Sequence, residues 1–172
     1  MNQAASVLQI VPMLDSHWPE VRRIYEEGIA TGQATFETSA PDWERFDATR
    51  NRDCRLVGIA RSRVVAWAVL VPFSSRPVYR GVAEASVYVA AEARGTGAGS
   101  RMLEALLRES EENGYWTLLA KIFPENTGSL ALVRKFGFRE VGVLTKIAQD
   151  RGVWRDVVLL ERRIGLPAVT NH

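Results

Sequence analysis

A glycine-rich segment, Arg94-Gly95-Thr96-Gly97-Ala98-Gly99, carries the strongest chemical signal in this sequence. It stands between residues 82–89, which are typical of a β-strand, and residues 97–113, which are typical of an amphipathic helix. Glycine lets the backbone approach a ligand closely and adopt positive φ angles. The helix that follows offers unpaired N–H groups and the positive end of its dipole to an anion. The segment therefore suits a bound pyrophosphate, although a turn that only starts a helix has the same pattern.

Two other nucleotide-binding motifs are excluded by the residues of this segment. No Gly-Lys-Ser or Gly-Lys-Thr follows it, which excludes the ATP-type P-loop. The Rossmann fingerprint requires a final glycine at the position of Ser100, and its strand opens the domain, whereas residues 82–89 come late in the chain. The glycine segment therefore predicts a phosphate site of another kind.

The composition is that of one ordinary globular domain. The chain has 172 residues, of which 47% are hydrophobic and 24% charged, and its net charge of +2 gives no reason to expect nucleic acid or a membrane as partner. Cys54 is the only cysteine, so no intrachain disulfide can form. His17 and His172 lack partners at metal-binding spacing, so no metal is expected. The first seven residues do not resemble a signal peptide, and no apolar run reaches the about 20 residues of a membrane span, which together predict a cytoplasmic protein.

The order of predicted elements indicates a mixed α/β sheet. Asp15 or Ser16 is expected to cap the first helix, and Gly32 to end it. The expected domain spans residues 8–164, with tails at 1–7 and 165–172. Hydrophobic periodicity predicts strand 8–13, helix 17–29, a short helix at 41–46, strands 55–60, 64–71 and 82–89, helix 97–113, strand 116–122, helix 128–136, and strands 138–144 and 153–162.

A longer set of segments resembles a known family. Arg94-x-x-Gly97-x-Gly99, placed after Ser86-Val87-Tyr88-Val89, resembles the acetyl-CoA motif of the GNAT superfamily of N-acetyltransferases. The resemblance implies a single domain with a mixed, mostly antiparallel central sheet flanked by helices. Further segments resemble the phosphinothricin and methionine sulfone acetyltransferase branch, in the family's order: residues 34–37, 73–80, 84–89, 126–130, 136–138 and 154–157.

The resemblance also implies how acetyl-CoA, the expected co-substrate, is bound. Backbone N–H groups of residues 94–99 would hold the CoA pyrophosphate. The strand segment Val87-Tyr88-Val89 would pair with the pantetheine arm as an added strand. Asn126 and Ser129 would contact the cofactor near its thiol, although Asn126 also suits a helix cap and Ser129 the first turn of a helix.

Acetyl transfer to nitrogen requires a neutral amine, a polarised thioester carbonyl and a base. An α-amine is mostly protonated at neutral pH, so a base within reach is useful. Glu84 resembles the glutamate proposed as base in this branch, and the alternative is an exposed carboxylate on a strand. A backbone N–H group of residues 87–89 would polarise the carbonyl oxygen.

The resemblance assigns acceptor binding to Phe36, Arg76 and Tyr79. A guanidinium pairs well with the carboxylate or phosphinate of a compact amino acid. The alternatives are a solvated loop charge for Arg76 and ordinary core packing for the two aromatic residues. Val133 departs from the family, because this position often carries Tyr or His. The departure removes a candidate acid for the leaving thiolate, or a second base.

Three functions remain open at this point. The first is acetylation of the α-amine of a small amino acid analogue such as methionine sulfone, methionine sulfoximine or phosphinothricin. The second is acetylation of an antibiotic, a protein N-terminus or a polyamine, the last disfavoured by Arg76 and Arg80 in the expected acceptor loop. The third is a non-catalytic acetyl-CoA sensor, which Val133 favours and Glu84 opposes. A small-molecule amine is the expected partner, and the resemblance is compatible with a homodimer.

Overall fold

The central feature of the computed structural model, which describes residues 7–165, is one mostly antiparallel sheet of seven strands. The strand order is β1-β2-β3-β4-β5-β7-β6, and β4 and β5 form its parallel pair. The strands are β1 (Gln9–Pro12), β2 (Arg55–Ala60), β3 (Arg63–Pro72), β4 (Val82–Val89), β5 (Thr117–Ile122), β6 (Arg139–Asp150) and β7 (Val153–Arg163).

Helices cover both faces of the sheet. Helices α1 (Trp18–Ala30) and α2 (Trp43–Thr49) pack on one face, and α3 (Ala98–Glu112) and α4 (Thr127–Lys135) on the other. Because successive side chains of a strand point to opposite faces, β3 contributes to both cores. Its Trp67 packs with the α1 core, and its Ala68 packs with the α3 core. This architecture confirms the fold class implied by the sequence.

The predicted cap of the first helix and the predicted start of the second need correction. Asp15 and Ser16 lie in a short 3₁₀ turn, and α1 begins one turn later, after His17, without a side-chain cap. A proline in the first helical turn explains this, because it has no N–H group there to be capped. The second helix was predicted from Pro41 but begins after Asp42, whose carboxylate accepts a hydrogen bond from the backbone N–H of Arg45 at 2.9 Å.

The long hairpin of β6 and β7 extends beyond its predicted length. β6 was predicted to end at residue 144 but continues to Asp150, with an irregular register between Leu144 and Ala148. Lys146 adopts a φ of 49° there, and its N–H donates to the Asp156 carboxylate at 2.7 Å. The second half of this edge strand is largely exposed, so its hydrophobic pattern is weak.

No helix within residues 7–165 has both the length and the apolar character needed to cross a membrane. The predicted tails at 1–7 and 165–172 lie outside the described residues, apart from Val7 and Gly165, as does His172. The proposed domain limits of 8–164 therefore stay a prediction.

Candidate active site

The sheet has a gap between its two parallel strands. β4 and β5 pair over only three positions, where Val82 matches Thr117, Ala83 matches Leu118 and Glu84 matches Leu119. Beyond Glu84 the strands separate, and a cavity of about 1080 Å³ is lined by residues 84–89 of β4 and by residues 120–123 at the end of β5. The cavity is also lined by residues of α1 on one face and of α3 and α4 on the other. We call these two parts the α1 half and the α3 half.

Backbone groups of β4 face this gap. The N–H of Ala90 donates to Val65 at 2.8 Å, on the β3 side. Because neighbouring residues of a strand direct their backbone groups to opposite sides, Val87 and Val89 direct theirs towards the gap. The carbonyl of Val89 accepts a hydrogen bond from Nε of Arg94 at 3.2 Å. The N–H groups of Val87 and Val89 therefore remain available for a bound group.

The glycine segment forms one mouth of the α3 half. Gly95 and Gly97 have φ angles of 74° and 86°, and neither would place a Cβ within 4 Å of another atom. Gly97 is the N-cap of α3 and has no side chain, so the first-turn N–H groups keep their donors for an anion. Thr96 instead donates its hydroxyl to the carbonyl of Ala93 at 2.7 Å. Thr96 and the buried Ala98 are not part of the cavity lining, so their contact with a cofactor through backbone N–H groups stays a prediction.

Glu84 stands at the inner end of the gap, and it is paired with a cation. Its Oε2 lies 2.8 Å from Nζ of Lys121 on β5, and the two side chains are 28% and 47% exposed. Both residues line the cavity. Lys121 was not identified from the sequence, where its one signal was that it is one of only three lysines in an arginine-rich chain.

Stacked aromatic rings form the wall of the α1 half. Trp67 of β3 stacks on Tyr88 of β4 with ring centroids 4.3 Å apart, and Tyr25 of α1 packs edge-on against both. Burial raises the pKa of the Tyr25 and Tyr88 phenols, and the Arg50 guanidinium and a hydrogen bond with Thr35 partly oppose this effect. Both phenols therefore stay protonated at neutral pH and can donate hydrogen bonds.

The segment after α1 completes the same wall. The ring of Phe36 meets that of Phe123 edge-on at 4.8 Å, and the guanidinium of Arg155 lies 4.1 Å from the Phe123 centroid. Arg155 also donates to the carbonyl of Gly32 at 3.1 Å. These contacts place Phe36 at the cavity, and its role in acceptor binding, which the resemblance implies, stays a prediction.

Asn126 and Ser129 line the cavity at the start of α4. The Asn126 side chain accepts a hydrogen bond from the Ser129 N–H at 3.1 Å, which makes it the cap of α4. Its amide nitrogen donates to the carbonyl of Gln33 at 3.1 Å, so it also holds the segment after α1. Their contact with a cofactor stays a prediction. Val133 lines the cavity as well and is buried, so this position of α4 carries no proton donor.

The structure does not bring Arg76 and Tyr79 to this cavity. Both belong to the segment between β3 and β4, where the Arg76 guanidinium lies 5.7 Å from the Tyr79 ring centroid. Tyr79 is 37% exposed, so it is not a core residue. Neither residue lines the cavity in the described part of the chain. Their role in acceptor binding stays a prediction.

Comparison with known proteins places this chain in the class of acetyltransferases. Residues 14–138 match the model of the acetyltransferase (GNAT) family. The match covers well over half of the chain, and the chain belongs to this family. The family, the fold class and the kind of enzyme expected from the sequence are thereby confirmed.

Individual relatives cover most of the chain. It is 31% identical over 158 residues to the phosphinothricin N-acetyltransferase of Alcaligenes faecalis, covering 86% of this chain and 78% of that protein. It is 26% identical over 149 residues to the L-methionine sulfoximine/L-methionine sulfone acetyltransferase of Pseudomonas aeruginosa, covering 83% and 87%.

Solved structures agree with this assignment. A ribosomal-protein-alanine N-acetyltransferase from Brucella melitensis has a TM-score of 0.85 and 32% identity, covering 91% of this chain and all of that one. A phosphinothricin acetyltransferase from Sinorhizobium meliloti, solved in complex with acetyl-CoA, has a TM-score of 0.85 and 26% identity, covering 95% and 92%.

Proposed function

We propose that this protein transfers the acetyl group of acetyl-CoA to the α-amine of a small amino acid or a close analogue. The observation that carries the proposal is the cavity through the sheet, which joins a glycine-rich helix start on one face to an ion-paired glutamate and aromatic wall on the other. The similarity to enzymes named for phosphinothricin and for methionine sulfone supports an amino-acid-like acceptor. The cytoplasmic location and the homodimer stay predictions.

In this proposal the α3 half holds acetyl-CoA. The N–H groups of residues 94–99 and the positive end of α3 bind the pyrophosphate. The pantetheine arm lies along β4 and uses the backbone N–H groups of Val87 and Val89 that β5 leaves free. The relative from Sinorhizobium meliloti, which was solved with acetyl-CoA, supports this choice of co-substrate.

The α1 half receives the acceptor, and Glu84 acts as the base. Its carboxylate takes a proton from the α-ammonium group, directly or through one water. The neutral amine then attacks the thioester carbonyl carbon, a C–N bond forms, and the C–S bond breaks with release of the CoA thiolate. The nitrogen loses its second proton to water or to the departing thiolate, which leaves the neutral amide. A backbone N–H of Val87 or Val89 donates to the carbonyl oxygen as negative charge develops there. The salt bridge with Lys121 fixes the direction in which Glu84 presents its carboxylate.

Val133 sets a condition on this mechanism. The wall near α4 supplies no hydroxyl or imidazole at this position, so the thiolate must leave without an acid from residue 133. A thiolate is stable enough to leave unprotonated at neutral pH, since thiol pKa values lie near 8.5. The reaction therefore does not require the missing residue.

The test is release of CoA thiol from acetyl-CoA with a panel of amines. The panel contains L-phosphinothricin, L-methionine sulfone, L-methionine sulfoximine, spermidine and a peptide with an alanine N-terminus. We expect release with the amino acid analogues, and a loss of about 100- to 10,000-fold in kcat/KM for Glu84→Gln, with acetyl-CoA affinity unchanged. Glu112→Gln, which changes an exposed carboxylate at the end of α3, is the matched control and should keep full activity.

Two other outcomes would reject the proposal. Release with the peptide alone would assign the protein to N-terminal acetylation, the activity named for the relative from Brucella melitensis. Tight acetyl-CoA binding without release for any amine would instead favour the sensor.

A further inference from the structure

Arg50 is a cation of the α1 half that was not identified from the sequence. It follows α2 directly and lines the cavity, with its guanidinium carbon 4.6 Å from the centroid of the Phe46 ring. One terminal nitrogen donates to the hydroxyl of Thr49. Its buried Nε has no hydrogen-bond partner, and no carboxylate oxygen within residues 7–165 lies within 4.0 Å of its guanidinium nitrogens. Arg50 therefore carries a positive charge that the described residues leave without a counter-ion.

The other cations of the cavity are already engaged. Lys121 is paired with Glu84, and Arg94 on the α3 half donates its Nε to the carbonyl of Val89. A partly buried guanidinium without a counter-ion is costly unless a ligand supplies the negative charge. Arg50 is therefore the cation of the α1 half that is free to bind an anionic group.

The surroundings of Arg50 are rich in hydrogen-bond donors. Trp67 lines the cavity and is 1% exposed, and its buried indole N–H has no hydrogen-bond partner in the described chain. The phenols of Tyr25 and Tyr88 both interact with the Arg50 charge. The carboxylate on this wall, that of Glu37, belongs to an exposed residue. Within residues 7–165, the unpaired indole N–H of Trp67 and the unpaired Nε of Arg50 indicate a ligand that brings acceptor oxygens.

We propose that Arg50 binds the carboxylate, or an equivalent acidic group, of the acceptor, and that the acceptor is consequently a free α-amino acid. The inference rests on the proposed function, because it places the acceptor in the α1 half. Arg50, Tyr88 and Glu84 all line this cavity. A free α-amino acid carries its ammonium and carboxylate on one carbon, so a single small molecule can face Glu84 and Arg50 together. The planar guanidinium can hold such a carboxylate through two parallel hydrogen bonds.

The inference makes a choice between acceptors that the rest of the site leaves open. The N-terminal residue of a peptide has an amide where a free amino acid has its carboxylate, and a polyamine has only cationic groups. Both leave Arg50 without a counter-ion, and the polyamine adds like charge to it. The inference also assigns anion binding to Arg50 in place of Arg76, which lies on the segment between β3 and β4 outside the cavity lining.

The experiment compares L-methionine sulfone with its α-amide in wild type and variants. In Arg50→Gln we expect kcat/KM for the acid to fall by about 10- to 100-fold and that for the amide to change by less than about 3-fold, with the KM for acetyl-CoA unchanged. Arg50→Lys keeps the charge without the planar fork, so its loss for the acid should be intermediate. Arg45→Gln, an exposed position on α2 outside the lining, is the matched control and should equal wild type. Circular dichroism melting establishes that each variant is folded.

Three results would overturn the inference. The first is an equal loss for acid and amide in Arg50→Gln. The second is an acid-selective loss in Arg76→Gln but not in Arg50→Gln, which would return anion binding to the segment between β3 and β4. The third is that calorimetry detects no binding of L-methionine sulfone to the CoA-bound wild-type protein. Binding that depends on Arg50 without any acetyl transfer would support the subsite and reject the proposed function alone.

Discussion

The carboxylate of Glu84 and the ammonium group of Lys121 lie 2.8 Å apart where β4 and β5 separate. Both side chains are partly exposed, so a pair of this kind contributes only about 0–1 kcal/mol to stability. The pair matters for orientation, because it holds the carboxylate of the proposed base, Glu84, at the edge of the gap between β4 and β5. A base held in one orientation reaches its substrate at a smaller entropic cost than a freely rotating one.

This relationship predicts that Lys121 acts through Glu84. We expect Lys121→Met to lower kcat/KM by about 10-fold, because the lost hydrogen bond to a charged group releases the carboxylate. Combined with Glu84→Gln, it should cause no further loss beyond that of Glu84→Gln alone. Thiol-release kinetics of the two single variants and the double variant measure this coupling.

The matched control is Lys135→Met at the exposed end of α4, which lies outside the cavity lining and should leave the rate unchanged. A double variant about 10-fold slower than Glu84→Gln would mean that Lys121 has a role independent of Glu84.

The left-handed conformation of Gly97 predicts that its substitution weakens cofactor binding. An alanine at φ 86° has room for its Cβ but is strained, and relief of that strain turns the N–H groups of the segment away from an anion. We expect Gly97→Ala to raise the dissociation constant of acetyl-CoA by about 10-fold or more. Isothermal titration calorimetry gives this constant directly.

Gly114 offers a control of equal strain at the other end of α3. Its φ is 78°, and a Cβ there would also meet no atom within 4 Å. Gly114→Ala should therefore lower the free energy of unfolding by about 1–2 kcal/mol, as Gly97→Ala does, but without changing acetyl-CoA affinity. Equal weakening of acetyl-CoA binding in both variants would refute the role of the segment.

The contact between α1 and β4 predicts an unusual response to a glycine substitution. A Cβ at Gly28 would lie 2.7 Å from the Tyr88 ring, which is itself stacked on Trp67 and has little room to move. Gly28→Ala should therefore destabilise the protein by about 1–3 kcal/mol, whereas alanine normally stabilises a helix relative to glycine. Urea unfolding measures the difference.

Gly128 provides the comparison, because it lies in the first turn of α4 and would place a Cβ near no atom within 4 Å. Gly128→Ala should leave stability unchanged or raise it by up to about 1 kcal/mol. Destabilisation of the same size in both variants would show that the Tyr88 contact is not the cause.

The α3 half of the site could be predicted from the sequence because it is local. A strand, a glycine segment and a helix follow one another within residues 82–112, and each has a pattern of its own. β4 was predicted at its observed bounds, Val82–Val89, and α3 to within one residue at each end. Glu84 was selected because it resembles the glutamate proposed as base in the family branch and stands near the start of the strand before the glycine segment.

The α1 half could not be predicted in the same way. Its wall combines Tyr25, Arg50, Trp67 and Lys121, which come from four different elements or the segments beside them. No periodicity marks an arginine after a short helix as different from the other arginines of the chain. Only the pairing of β3, β4 and β5 brings these side chains to one cavity, and this depends on contacts between residues far apart in sequence.

Buried acidic groups predict a loss of stability at alkaline pH. Burial, with the nearby carboxylates of Glu109 and Asp53, raises the pKa of the Cys54 thiol from 9.0 to about 12. Burial also raises the pKa of Tyr115 to about 12. The folded state keeps these protons where the unfolded state loses them. Their contribution to stability is therefore complete below pH 9 and is lost as the pH rises from about 9 to about 12.

The Cys54 share of this effect can be isolated by substitution. Between pH 8 and pH 10 the unfolded thiol loses its proton and the folded one does not, which costs about 1 kcal/mol of unfolding free energy. Cys54→Ser titrates in neither state over this range, so its urea midpoint should fall less steeply with pH than that of wild type, whatever its absolute stability. The effect of burial on the tyrosines is the same in both proteins and cancels in the comparison, whereas the part of the Tyr115 shift that Cys54 causes belongs to the measured difference. Parallel pH dependences of the two proteins would contradict the raised thiol pKa. Rapid reaction of the folded wild type with a thiol reagent at pH 8 would also contradict it, because a protonated thiol with no exposed surface should react only on unfolding.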